Sequence, residues 1–135
     1  EVIYFYNVYG PRQIRKGKMA TVIGIFEDHY VRNKPLPVVK PGYQTRSFTH
    51  IEDTIEVCYY AWKKNMNRHY SIYNKKSYSI IKVANLFGSK IKFLPQREGE
   101  RYASALTKMN LSNKVHRKFG KKKLTEYIKE FKKNN

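Results

Sequence analysis

Arginine set beside glycine and proline is the combination in this chain best suited to holding a phosphate or a carboxylate. Three segments present it or lead up to it: Asn7-Val8-Tyr9-Gly10-Pro11-Arg12-Gln13, the stretch from Pro37 to Phe48 that carries Arg46, and the stretch from Pro95 to Tyr102 that carries Arg97. A guanidinium donates in a planar fork that meets two oxygens at once, and Gly and Pro fix the turns that carry it. Any one of these arginines, taken alone, reads more simply as the partner of a nearby acid such as Glu52, Asp53 or Glu98. Other chemistries find less support. His29, His50, His69 and His116 do not fall into metal-ligand spacing with Cys58, so no metal site is expected. One cysteine also excludes an internal disulfide.

The elements that must position these segments follow from hydrophobic spacing. Val2-Ile3-Tyr4-Phe5-Tyr6 is apolar without alternation, as in a strand buried on both faces, and it delivers Asn7 at its carboxyl end. Such a strand needs sheet neighbours and crossover helices. It begins at the second residue, after Glu1 rather than an initiator Met, so the chain is expected to be the carboxyl-terminal part of a larger protein. Met19, Val22, Ile23, Phe26 and Tyr30 predict a helix over 18–32, ended by Pro35 and Pro37. Residues 36–40 read as a strand, Pro41-Gly42 as a turn, and 48–51 as extended. The next helix is expected to be capped by Thr49 with Glu52 or Asp53 with Glu56, burying Ile55, Cys58, Tyr59 and Trp62. A strand at 70–73 follows, then a helix capped by Ser77, buried through Ile80, Val83, Ala84 and Phe87, and closed by Gly88. Residues 91–94 alternate like a half-buried strand. Two last helices are expected near 111–119 and 123–132, the second burying Leu124, Tyr127, Ile128 and Phe131.

Composition sets the outer bounds. At 135 residues the chain is one domain, able to bury roughly two-thirds of its unfolded surface. Hydrophobic content of 41% and aromatic content of 15% point to a globular core. No apolar run could span a membrane and no signal-peptide pattern occurs, so a cytoplasmic location is expected. The net charge of +18 raises nucleic-acid binding as an alternative function. The cations are mostly Lys and dispersed among Asn, Ile and Tyr, which favours a solvated face or a field attracting anionic substrates.

Taken together, Asn7-Val8-Tyr9-Gly10-Pro11-Arg12-Gln13, Gly42-Tyr43-Gln44-Thr45-Arg46-Ser47-Phe48 and Arg97-Glu98-Gly99-Glu100 resemble the nucleotide-sugar epimerases and dehydratases of the extended short-chain dehydrogenase/reductase family. The resemblance runs from the first strand through the final helices. It implies an α/β fold: the carboxyl-terminal part of an extended Rossmann-type epimerase, with the last parallel strands and a small α/β substrate-binding subdomain. Residues 1–135 would be the substrate-binding portion, and the amino-terminal dinucleotide-binding part would be absent. It further implies NAD as cofactor of the complete protein, a nucleotide-diphosphate sugar as substrate, and a homodimer. By the same resemblance Asn7 hydrogen-bonds the substrate near its diphosphate, while Tyr6 and Val8 flank it beside the nicotinamide. Lys18 and Met19 start a helix over the nucleotide, Pro37 and Val39 hold the base, and Arg46 and Arg97 clamp the diphosphate. Tyr102 and Asn74 are further candidate contacts. Ser47 departs from the Asp usual there, and His50 stands where an aromatic residue is common. The run Lys16-Gly17-Lys18-Met19-Ala20-Thr21-Val22 is similar to heptose-nucleotide epimerases.

The catalytic pair of that family, Tyr-x-x-x-Lys, lies upstream of the Asn7 segment and so before residue 1. Tyr30/Lys34, Tyr59/Lys63, Tyr60/Lys64 and Tyr78/Lys82 match the spacing by chance, downstream of the expected place. No Gly-x-x-Gly-x-x-Gly loop occurs either. The implied parent is a UDP-glucose 4-epimerase-like enzyme, with a 4,6-dehydratase or a heptose-nucleotide epimerase as alternatives. The chain alone is expected to be inactive.

Overall fold

The computed structural model describes residues 1–66, 68–72, 74, 76–96, 98–99 and 119–135. The chain opens with β1 (Val2–Phe5) and β2 (Val8–Tyr9), then forms α1 (Val22–Val31), β3 (Leu36–Val39), β4 (Thr45–Ser47) and β5 (Thr49–His50). α2 (Ile51–Lys64), β6 (His69–Ile72), β7 (Ser77–Ser79), α3 (Ile80–Phe87), β8 (Ile91–Leu94) and α4 (Leu124–Lys133) complete it. β1 pairs in parallel with β6, β2 with β5 and β3 with β8, whereas β4 and β7 run antiparallel. α2 connects β5, the partner of β2, to β6, the partner of β1. The fold is therefore α/β with parallel strand pairs, as the sequence implies.

Local chemistry explains where the helices begin. Gly17 adopts a left-handed turn closed by the Ala20 N–H on its carbonyl, so α1 starts at Val22 and not at residue 18. Thr21 caps it, its Oγ1 accepting from the Gly24 N–H at 3.0 Å. Gly24 is also where the first loop crosses the helix: a Cβ there would sit 2.3 Å from the Ile14 carbonyl oxygen. α2 is capped by His50, whose Nδ1 accepts from the Glu52 N–H at 3.2 Å. The expected caps are committed elsewhere. Thr49 donates to the Ile72 carbonyl at 3.1 Å, and Asp53 accepts from the Lys122 N–H at 3.1 Å. Likewise Ser79, not Ser77, caps α3, because the Ser77 hydroxyl meets that of Ser47 at 3.0 Å. Gly88, at φ +76, closes α3 as expected.

Among the described residues, two clusters form the core. The larger joins α1, β3, α3 and α4 through Phe26, Leu36, Val38, Val83, Phe87, Leu124 and Ile128. The smaller sets Val57 and Ala61 of α2 against Tyr70 and Ile72 of β6, with Phe119. This second contact reverses the expected buried stripe of α2. Ile55, Tyr59 and Trp62 are 59%, 58% and 73% exposed, and Cys58 is half-buried. α2 is apolar on both sides, and the small side chains Val57 and Ala61 allow the closer approach to the sheet. β1 is likewise not buried on both faces: β6 is its neighbour among the described residues, and Val2 and Phe5 remain exposed. Most of the helix expected near 111–119 lies outside the described residues.

Candidate functional site

A cavity of about 260 Å³ collects the sequence-predicted residues Asn7, Pro37, Val39 and Arg46. Its apolar wall comes from Val22, Ile25 and Phe26 of α1, with Ile80 and Leu94. The construction follows from the fold. Asn7 ends the passage out of β1, Pro37 and Val39 lie two apart on β3, and Arg46 is the middle residue of β4, opposite Tyr78.

Each polar side chain is held by backbone. Asn7 adopts φ +42, donates from Nδ2 to the Ser47 carbonyl at 2.9 Å, and accepts the Thr49 N–H on its own carbonyl. Among residues with a side chain, Asn is one of those that tolerate the left-handed region best. Arg46 donates from Nη1 to the Thr45 carbonyl at 2.8 Å. Gln44, the residue just before β4, is a lining residue that the sequence reading missed. It is 2% exposed and donates from Nε2 to the Val39 carbonyl at 3.2 Å, while its Oε1 has no hydrogen-bond partner among the described residues. Its alternation with Arg46 was the available signal.

The loop after β2 is tied down by a buried carboxylate. Glu27 is fully buried on α1 and accepts from Gln13 Nε2 at 2.8 Å, Tyr127 Oη at 2.6 Å and Arg15 Nε at 2.9 Å. Gln13 in turn accepts from Thr21 Oγ1 at 2.8 Å. First loop, α1 and α4 are thus joined through one anion. Burial and the Glu27 carboxylate push the Tyr127 phenol well above its ordinary value, keeping it a donor.

Other expected residues lie elsewhere. Lys18 and Met19 sit in the turn before α1, and Met19 is 77% exposed; Ala20 and Val22 take their place at the cavity. Asn74 spends its side chain on a turn, donating to the Lys122 carbonyl at 3.1 Å and accepting from the Lys76 N–H at 3.1 Å. Tyr6 and Val8 flank Asn7 half-buried, the Tyr6 hydroxyl accepting from Ser71 Oγ at 3.1 Å. Arg97 and Tyr102 lie outside the described residues. Among the described residues no group of His, Cys, Asp and Glu could hold a metal ion, and no helix is long and apolar enough to cross a membrane.

Comparison with known proteins gives this arrangement its context. The family model of the NAD dependent epimerase/dehydratase family matches residues 2–75. An ADP-L-glycero-D-manno-heptose-6-epimerase of Fusobacterium nucleatum is 30% identical over 63 residues, 42% of this chain and 19% of that protein. A UDP-glucose 4-epimerase of Thermotoga maritima, solved with UDP-glucose, superposes with a TM-score of 0.78 at 22% identity, covering 98% of this chain and 44% of that one. A UDP-glucuronic acid 4-epimerase of Bacillus cereus, solved with UDP-glucuronic acid and NAD, gives 0.78 at 22% identity over the same shares. The chain thus spans less than half the length of these proteins.

Proposed function

The chain belongs to the NAD dependent epimerase/dehydratase family, and from that premise we propose that it is the substrate-recognition portion of an NAD-dependent nucleotide-sugar epimerase, binding the nucleotide diphosphate. The observation that carries this reading is the cavity that brings Asn7, Pro37, Val39 and Arg46 together. Pro37 and Val39 offer an apolar edge to a base, and Arg46 a planar cation to a phosphate. Asn7 adds a carboxamide fixed by its bond to Ser47. Arg97 would complete the clamp and Tyr102 would add a contact. Offsetting the diphosphate charge with two guanidinium groups needs no metal.

NAD is the cofactor of the family, and when bound it takes a hydride from a sugar carbon and returns it. In this chain Tyr6 and Val8 fit one wall of a nicotinamide site. The cofactor phosphates need a glycine-rich loop that this sequence does not contain, and the Tyr and Lys that move the proton belong with that loop. The edge of β1 that no strand among the described residues covers, the exposed Phe5 and the apolar outer face of α2 suit the docking of such a dinucleotide-binding half. The complete protein would be a homodimer.

A heptose-nucleotide epimerase is the second reading, favoured by the heptose-epimerase relative and by the Lys16–Val22 run. Both readings meet one test. The purified chain, incubated with NAD and with UDP-glucose, UDP-N-acetylglucosamine or an ADP-heptose, should form no product. Joined behind a dinucleotide-binding half, it should interconvert one of them. Turnover by the isolated chain, or none by the joined protein on any nucleotide sugar, would overturn the proposal.

A further inference from the structure

A second cavity, of about 500 Å³, shares no lining residue with the first. It opens between the loop after β2, the amino end of α2 and the length of α4. Most of its charges are already matched: Arg15 with Glu27, Lys122 with Glu52, and Lys123 with Glu126. Two donors are not. Arg12, held exposed at φ +65, makes no ion pair or hydrogen bond among the described residues.

His50 is the other. It is 6% exposed, with the rings of Tyr9 and Tyr127 edge-on at 5.2 and 5.7 Å. Its Nδ1 accepts the Glu52 N–H, so that nitrogen carries no proton and the neutral ring keeps its proton on Nε2. Burial, and secondarily the Lys122 ammonium, hold the ring below its ordinary pKa against the opposing pull of Glu52 and Asp53. The Nε2–H has no acceptor among the described residues, and the ring lines the cavity, where a ligand oxygen can supply one.

We propose that this cavity is a second binding site, for a small organic monocarboxylate, with the His50 Nε2–H and the Arg12 guanidinium as its two donors. Pro11 and Phe131 supply the apolar wall for the body of the ligand. The Glu130 carboxylate in the same lining, which no cation among the described residues pairs, selects against a dianion such as phosphate. The site stands apart from the nucleotide cavity and does not depend on what that cavity binds.

Nitrogen-correlated NMR of the full chain, titrated with benzoate, reads both the His50 ring and the backbone amides around it. Benzoate should shift His50 Nε2 and the Glu52 amide saturably. Benzyl alcohol and inorganic phosphate should bind more weakly. His50→Asn keeps an acceptor to cap α2 but removes the Nε2–H, and Arg12→Gln removes the exposed cation without touching the fold. Each should weaken benzoate about 10- to 150-fold, the loss expected for one charge-assisted hydrogen bond. Unshifted His50 resonances, unchanged affinity in Arg12→Gln, or tighter binding of phosphate or benzyl alcohol than of benzoate would overturn the proposal. Arg12→Gln decides the matter even where His50→Asn does not fold.

Discussion

At the scale of single residues, the resemblance supplied the site and the structure supplied its fixings. Asn7 and Arg46 were singled out by the resemblance, and the structure sets both on one cavity. The bond from Asn7 to Ser47, forty residues on, was not legible in the sequence. Glu27 shows the limit most clearly. Nothing in its neighbourhood marks it as buried, because its partners Gln13, Arg15 and Tyr127 come from two other segments. Glu27→Ala should destabilise the chain by about 1.5–3 kcal/mol, the worth of a hydrogen bond to a charged group, measured by urea unfolding. His50 gives a pH signature. Its folded pKa lies below the ordinary 6.5, so the unfolded chain binds the proton more readily. Its contribution to stability is fully present above 6.5 and is lost as pH falls below it. His50→Asn should flatten that acid limb in thermal melts taken across pH 5–8, and an unchanged limb would show that another group controls it.

At the scale of elements, periodicity located every described helix and failed on faces and caps. α2 presents apolar residues on two sides, and only the position of Tyr70 and Ile72 on β6 selects Val57 and Ala61 for burial. The caps went to neighbours of the expected residues because Thr49, Asp53 and Ser77 are claimed by bonds between segments. The exposed Ile55, Tyr59 and Trp62, with Val2 and Phe5 on β1, leave an apolar surface of the kind that drives association. The isolated chain should therefore self-associate and bind an apolar dye. Ile55→Glu with Trp62→Lys should reduce both in light scattering and dye fluorescence while keeping the helical circular dichroism. A wild-type chain that stays monomeric and dark to the dye would contradict the exposed face.

At the scale of the whole molecule, the charge of +18 is what remains once 10 acidic residues are set against 28 Lys and Arg. In the densest cationic run, Lys122 pairs with Glu52 and Lys123 with Glu126. If the cavity at Asn7 and Arg46 carries recognition, as proposed, ligand preference should follow nucleotide structure and not polyanion charge alone. The most direct measurement compares UDP with uridine by calorimetry in a protein carrying this chain behind a dinucleotide-binding half. Arg46→Lys and Arg97→Lys keep the charge and lose the planar fork. Arg46→Gln and Arg97→Gln lose both, and each should weaken UDP by about 10- to 150-fold. The Lys variants should fall between these and the unaltered protein, with uridine binding unchanged in all four. Equal losses for UDP and uridine, or none for either, would mean that the arginines serve the fold and that the diphosphate is held elsewhere.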